Sequence, residues 1–223
     1  MQNNDFVEIE YIGKIKESGD VFDLTYEEVA KEKKIYNKDY KYGPVVIVVG
    51  ARHVIPGVDE QLTKMLVGDK QTFDIPAEKG FGSRNVELIK IFQLSEFQKQ
   101  RVTPVTGQYL TFQNGVKGKV ISVSSGRVKV DFNHPLAGKV LEYELKINRK
   151  IDSQQEQADA LAIFWLGTKN KPELKIDGKK LELHVPSGLT VPTQLKKALS
   201  DDITKFVKDL EVVNFVEAFK KTA

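Results

Sequence analysis

A chain of 223 residues with 40% hydrophobic content and 29% charged residues can fill two or three small cores and is neither fibrous nor disordered in composition. Zero cysteines exclude disulfides, thiolate chemistry and Cys-ligated metals, and no apolar run approaches the ~20 residues that cross a bilayer. The formal net charge of +3 is uneven: residues 85 to 133 hold seven Lys or Arg against three acids, a balance of +4, so any pull on nucleic acid would sit there.

Met1 to Asp5 are polar without Lys or Arg, and with the missing apolar span this predicts a soluble, cytoplasmic protein with no membrane partner. Val7, Ile9, Tyr11 and Ile15 then alternate with Glu8, Glu10, Lys14 and Lys16, the period of a half-buried strand. A polar, Lys-rich stretch from Tyr26 to Tyr42 has room for a short surface helix over 26 to 34 and carries no assigned chemistry. Strands are predicted at 45 to 49 and 72 to 75. Between them Pro56 suits a helix start, Asp59 and Glu60 favour its positive end, and Gly68 can close it, with Val58, Leu62, Met65 and Leu66 on one face.

Residues 85 to 133 read as a small all-β unit, with Tyr109 to Phe112 and Val116 to Val123 around an Asn114-Gly115 turn, followed by alternating Val128, Val130 and Phe132. The pattern of the first strand returns at 141 to 147, where Leu141, Tyr143, Leu145 and Ile147 alternate with Glu142, Glu144 and Lys146. That strand suits the amphipathic strands before residue 76, which makes the middle an insertion. From residue 153 a helix to Leu166, a hairpin on Asp177-Gly178, a helix from Pro192 and a strand over 212 to 219 predict a compact α+β unit. The expected units are therefore 1–84 with 134–152, then 85–133, then 153–223.

Three histidines, 53, 134 and 184, are scattered, so no metal site and no cofactor is expected, and His53 reads as a surface residue. The chain lacks G-x-S-x-G, H-E-x-x-H and G-x-x-x-x-G-K-[ST], which leaves hydrolase and nucleotide-binding readings without support.

Val21-Phe22-Asp23, the run His53-Val54-Ile55-Pro56-Gly57-Val58-Asp59-Glu60 and Gly80-Phe81-Gly82, with Tyr11 before them, resemble in order the active-site landmarks of FKBP-type peptidyl-prolyl cis-trans isomerases. The insertion after Gly82, returning through Phe132-Asn133-His134-Pro135, resembles the insert-in-flap chaperone domain of SlyD-type members, and the tail is similar to that of the long archaeal FKBPs. The resemblance implies an α+β fold, an antiparallel sheet wrapped on one helix, and catalysis of prolyl rotation assisted by chaperone activity. By position it implies catalytic roles for Tyr11, Asp23, Ile55, Phe81 and Tyr143, with Ile55 lending its backbone N–H to a substrate carbonyl. Phe22, Val45, Ile47, Val54 and Val58 would complete the proline pocket. Many members have an aromatic floor where this chain has Val58 and a tyrosine where it has Phe81; the floor here is shallower and one hydroxyl is missing.

In the insert, Tyr109, Leu110, Phe112, Val116, Val120 and Ile121 are candidates to bind unfolded, proline-containing chains, about half of them being needed for the insert's own core. Asp23 could equally cap a turn before Thr25, and the tyrosines could be plain sheet packing. A non-catalytic chaperone on the same scaffold and an RNA- or ribosome-associated factor using the basic insert are the rival readings, nucleic acid being the less expected partner. The tail could be a self-contained core or a dimerisation module, and the resemblance leans to a homodimer through residues 153–223, with Phe164, Trp165 and the helix face of 195 to 210 as the candidate surface.

Overall fold

A computed structural model describes residues 1–112, 115–167 and 171–218. The first sheet has five strands. Its centre is β1 (Phe6–Ile15), flanked on one edge by β2 (Val21–Leu24) and β3 (Val45–Val48), which lie end to end, while α1 (Glu27–Glu32) bridges these two along the chain. Next come α2 (Pro56–Leu62) and β4 (Lys70–Ile75). The expected alternation decides how the sheet is faced: Val7 and Ile9 turn to α2, and Phe6 turns to the opposite side.

After β4 the chain leaves the sheet. β5 (Ile89–Gln93), α3 (Leu94–Lys99), β6 (Tyr109–Thr111), β7 (Lys117–Ser124) and β8 (Arg127–Asp131) build a second antiparallel sheet in the order β5-β8-β7-β6, around its own core of Phe97, Val120, Val128 and Val130. This is the predicted β unit with β5 and α3 added, and Phe97 of α3 closes its core. The predicted turn there involves Asn114, which lies outside the described residues. The two crossings between the sheets are tied together: the Gly138 N–H donates to the Gly82 carbonyl at 2.8 Å, the Asn85 N–H donates to Asn133 Oδ1 at 2.8 Å, and Asn133 Nδ2 donates back to the Asn85 carbonyl at 2.8 Å.

β9 (Leu141–Ile151) then returns to the first sheet between β1 and β4, pairing antiparallel with both. One cluster fills the face covered by α2, with Val7, Ile9, Leu62, Met65, Ile75, Leu141, Leu145 and Ile147. The helix is shorter than its apolar spacing predicts: it stops at Leu62, Met65 stays buried, and Leu66 points away at 67% exposure. Gly68 does take a positive φ of +88°, in the turn before β4, where its N–H donates to the Ile147 carbonyl. Gly57 is required by contact, since a Cβ there would stand 2.5 Å from Ile75 Cγ2.

The rest of the chain is α4 (Gln154–Leu166), β10 (Glu173–Asp177), β11 (Lys180–Val185), α5 (Thr193–Phe206) and β12 (Val212–Glu217), with a sheet ordered β10-β11-β12 whose last pair is parallel. The end of the predicted last strand, Phe219, lies outside the described residues. This unit does not keep its core to itself. Phe6, Val48 and Ile151 on the back of the first sheet join Leu161, Leu181, Leu183, Leu199 and Ile203 in one buried cluster. Leu199, Ile203, Val207 and Leu210, the face considered for a second copy, are thus used within the chain. A homodimer through residues 153–223 would have to use other surface. Among the described residues no helix is long and apolar enough to cross a membrane.

Candidate active site

The residues singled out in the first sheet meet at one end of the α2-covered face. A row runs across four strands, because Asp23 of β2 and Tyr143 of β9 both stand opposite Gly13 of β1, and Phe73 of β4 stands opposite Tyr143. Gly13 makes the row possible: a Cβ there would lie 2.8 Å from Phe22 Cζ and 3.2 Å from Tyr143 Cζ. The register of β2 slips beside Gly13, where Asp23 pairs with Gly13 and Val21 with Lys14, so Phe22 is the unpaired residue of a bulge. Successive strand residues ordinarily point to opposite faces, and a bulge re-aims one of them. Here it lets Phe22 and Asp23 serve the same pocket.

The walls are aromatic. Phe22 meets Phe81 edge-on at 6.0 Å and Tyr143 at 5.9 Å, and Tyr11 lies 5.8 Å from Tyr143. Such pairs contribute about 0.5–1.5 kcal/mol each beyond their buried area, enough to keep an apolar cup in shape. Val58 and Ile47 are buried in the core cluster that these rings adjoin, and Val45, Val54 and Ile55 are partly buried against it, with Val45 opposite Ile9 and Ile47 opposite Val7, further along β1 from Gly13. All ten sequence-predicted pocket residues are therefore brought together: nine in one cluster, with Asp23 at its rim.

Asp23 is held from two sides. The Tyr11 hydroxyl donates to Oδ2 at 2.9 Å, and the Tyr40 hydroxyl reaches Oδ1 at 3.4 Å. Burial and the charge of Asp23 push the Tyr11 hydroxyl well above the usual phenol range, and Tyr143 and Tyr40 move the same way for the same reasons. These phenols are donors, and Asp23 is their acceptor. Its side chain makes no turn cap; the Thr25 hydroxyl, instead, accepts the Tyr11 N–H at 2.9 Å.

Ile55 caps α2 with φ −62° and ψ 149°, and its carbonyl accepts from Val58 and Asp59. Among the described residues none accepts its N–H. A polar donor is left at the mouth of an apolar cup.

Sequence reading missed Tyr40, Phe73, and the shelf formed by Tyr36 and Tyr42, whose rings stack at 5.5 Å. Tyr40 and Tyr42, with Ile35 and Phe22, line a hollow of about 150 Å³ beside Asp23. His134 was missed too. It stacks on Phe81 at 4.5 Å and 5°, so one wall of the cup is braced by the return from the insert. His53 is not a surface residue: its side chain is 4% exposed, enclosed by the C-terminal unit.

The six insert candidates separate. Val120 is fully buried in the insert core and cannot meet a client. Leu110, Phe112 and Val116 line a groove of about 870 Å³ with Phe92, Phe97 and Phe132, of which Phe92 and Phe97 were missed because β5 and α3 were. Tyr109 and Ile121 face a different cleft of about 660 Å³, between the insert and the first sheet, beside Arg84 and His134. Among the described residues no cluster of His, Asp or Glu could hold a metal ion.

Comparisons with known proteins agree with this geometry. Residues 1–98 match the family described as FKBP-type peptidyl-prolyl cis-trans isomerase, and residues 90–136 match the one described as FKBP26, IF domain. The chain is 37% identical over 147 residues to the short-type peptidyl-prolyl cis-trans isomerase of Methanocaldococcus jannaschii, covering 66% of this chain and 92% of that protein. It is 30% identical over 135 residues to a probable FKBP-type 16 kDa peptidyl-prolyl cis-trans isomerase of Pseudomonas fluorescens, covering 59% of this chain and 79% of that one. It is 27% identical over 156 residues to the FKBP-type isomerase SlyD of Helicobacter pylori, covering 66% and 76% respectively. With an aromatic cup, a doubly held carboxylate and these relatives together, the chain belongs to the family of FKBP-type peptidyl-prolyl cis-trans isomerases.

Proposed function

We propose that the cup formed by Tyr11, Phe22, Asp23, Val54, Ile55, Val58, Phe81 and Tyr143 is where this isomerase rotates X–Pro bonds, and that the insert, residues 85–133, feeds it unfolded chain. Rotation about an amide costs about 20 kcal/mol because resonance is lost. No nucleophile is needed. The planar amide is strongly dipolar and well hydrated, whereas the twisted amide has a less polarised carbonyl and a more pyramidal nitrogen. An apolar, water-poor cup favours the twisted form over the planar one, which is differential binding of the transition state.

The observation that carries this reading is the Tyr11–Asp23 bond of 2.9 Å at the edge of the cup, together with an Ile55 N–H that none of the described residues accepts. Asp23 acts electrostatically, oriented by Tyr11, and the Ile55 N–H receives a substrate carbonyl. The groove of Phe92, Phe97, Leu110, Phe112 and Val116 supplies apolar surface for an unfolded client. Tethering that surface to the cup raises the local concentration of proline, so weak capture in a cup floored by Val58 is tolerated. A cysteine-free chain has no disulfide that would call for an oxidising compartment, which is compatible with a cytoplasmic setting.

The test is the cis–trans rate of a Phe-Pro peptide and of a proline-limited refolding protein, with the whole chain and with residues 85–133 replaced by a short loop. Both substrates should be accelerated by the whole chain, and only the protein substrate should suffer without the insert. Equal loss on both substrates would remove the client role of the insert.

A further inference from the structure

The segment between β3 and α2 carries the Ile55 N–H, yet its own backbone does little to hold it. Arg52 sits at φ +61°, a left-handed conformation that a side chain rarely adopts unless its surroundings impose it. Among the described residues none accepts the N–H of His53, Val54 or Ile55. From the sheet unit, Asp59 of α2 accepts the Gly50 N–H at 2.9 Å and the Arg52 N–H at 3.1 Å, and there its reach ends.

The next residue is taken by the C-terminal unit. The His53 ring lies on Phe164 of α4, centroids 4.1 Å apart and 18° from parallel, with Phe206 of α5 edge-on at 6.4 Å. Nδ1 accepts the Val48 N–H at 3.3 Å, and an accepting ring nitrogen carries no proton, so the neutral ring bears its hydrogen on Nε2. Nε2 is buried without a hydrogen-bond partner and stands 3.7 Å from Asp202 Oδ2. That carboxylate is itself fixed, since Trp165 Nε1 donates to the same oxygen at 2.8 Å.

We propose that the C-terminal unit positions the prolyl site: the Phe164 and Phe206 rings, with the Asp202 carboxylate that Trp165 fixes beside them, enclose His53, and His53 in turn sets the aim of the Ile55 N–H two residues on. The inference rests on the role assigned above to that N–H. His53 is a positioning residue, touching no substrate. Reacting groups misplaced by about 1 Å can lose up to ~100-fold in rate, so a segment held by so few bonds gains from an outside brace.

A double-mutant cycle in the full chain tests this. Ile55→Pro removes the N–H at a position whose φ of −62° already suits proline, and His53→Ala removes the brace. Each single change should lower kcat/KM on a Phe-Pro peptide by roughly tenfold, and together they should do no worse than Ile55→Pro alone, because the brace acts only through that donor. Phe164→Ala, which removes the stacked ring from a position 43% exposed, should reproduce the His53→Ala loss and carries the test if His53→Ala unfolds. Additive losses, or full activity in both His53→Ala and Phe164→Ala beside an impaired Ile55→Pro, would overturn the brace and leave the site intact. Full activity in Ile55→Pro would overturn the reading of the site itself, and the brace with it.

Discussion

The Tyr40 hydroxyl stands 3.4 Å from Asp23 Oδ1, on the opposite side of the carboxylate from the Tyr11 hydroxyl, which bonds Oδ2 at 2.9 Å. Two donors from distant segments thus orient one acid. The shorter bond should matter more. Hydrogen bonds to a charged group contribute about 1.5–3 kcal/mol, so Tyr11→Phe should lower kcat/KM on a peptide by about tenfold, and Tyr40→Phe by less. Asp23→Leu should lose more than either while the melting temperature of the protein barely moves. Peptide kinetics beside circular-dichroism melts measure both, and turnover unchanged in Tyr11→Phe and Asp23→Leu would remove the acid from the mechanism.

Alkaline pH should leave these donors in place. A phenol ordinarily ionises near 10.0, and at Tyr11, Tyr143 and Tyr40 burial and the nearby Asp23 charge both oppose the phenolate. Phenol ionisation should therefore cause no fall in kcat/KM as pH rises to 10. Ultraviolet titration of the seven tyrosines should find these three among the last to ionise. A loss of activity centred below pH 10 that Tyr11→Phe abolishes would contradict this.

Stability, by contrast, should depend on acid through His53. Burial depresses its pKa below the ordinary 6.5 more strongly than Asp202 and Asp59 raise it. The unfolded chain then takes up a proton near 6.5 that the folded chain still refuses, so stability is full above 6.5 and declines as pH falls through the lower folded value. Denaturant midpoints of the wild type and of His53→Gln should converge as pH drops through that window. Parallel curves would mean that the histidine is not the titrating group.

The insert groove can be separated from the cup. Phe97→Ala opens the insert core as well as the groove and should destabilise by about 3–5 kcal/mol, whereas Val116→Ser, at a groove position 43% exposed, changes mainly the groove wall. Val116→Ser should slow catalysed refolding of a proline-limited protein several-fold and leave the peptide rate within error. A peptide rate that falls equally would tie the groove to the chemistry directly.

What the sequence disclosed follows from range. Strand alternation at Val7, Ile9, Leu141 and Ile147 is a local pattern, and the ordered motifs around Asp23, Ile55 and Phe81 are short enough to be read in one pass. The helix end was misjudged because Met65 and Leu66 have the right spacing, while the backbone turns away after Leu62 and only Met65 follows the core. α3 is six residues long, too short for helical periodicity to stand out. Tyr40 lies in a stretch with no period at all. His53 was placed on the surface because everything that buries it, Phe164, Asp202 and Phe206, is more than a hundred residues away. No local pattern reports a neighbour at that distance.

The tie between Gly82 and Gly138 has one more consequence. Because the chain leaves and rejoins the first sheet across the Gly138–Gly82 hydrogen bond, backed by the Asn85–Asn133 pair, that sheet experiences everything between the two glycines as a closed turn. The entropy of closing the loop is offset by the insert's own core of Phe97, Val120, Val128 and Val130. The junction works as a socket, and a module of another size or specificity could occupy it without shifting the register of β4, β9 or β1.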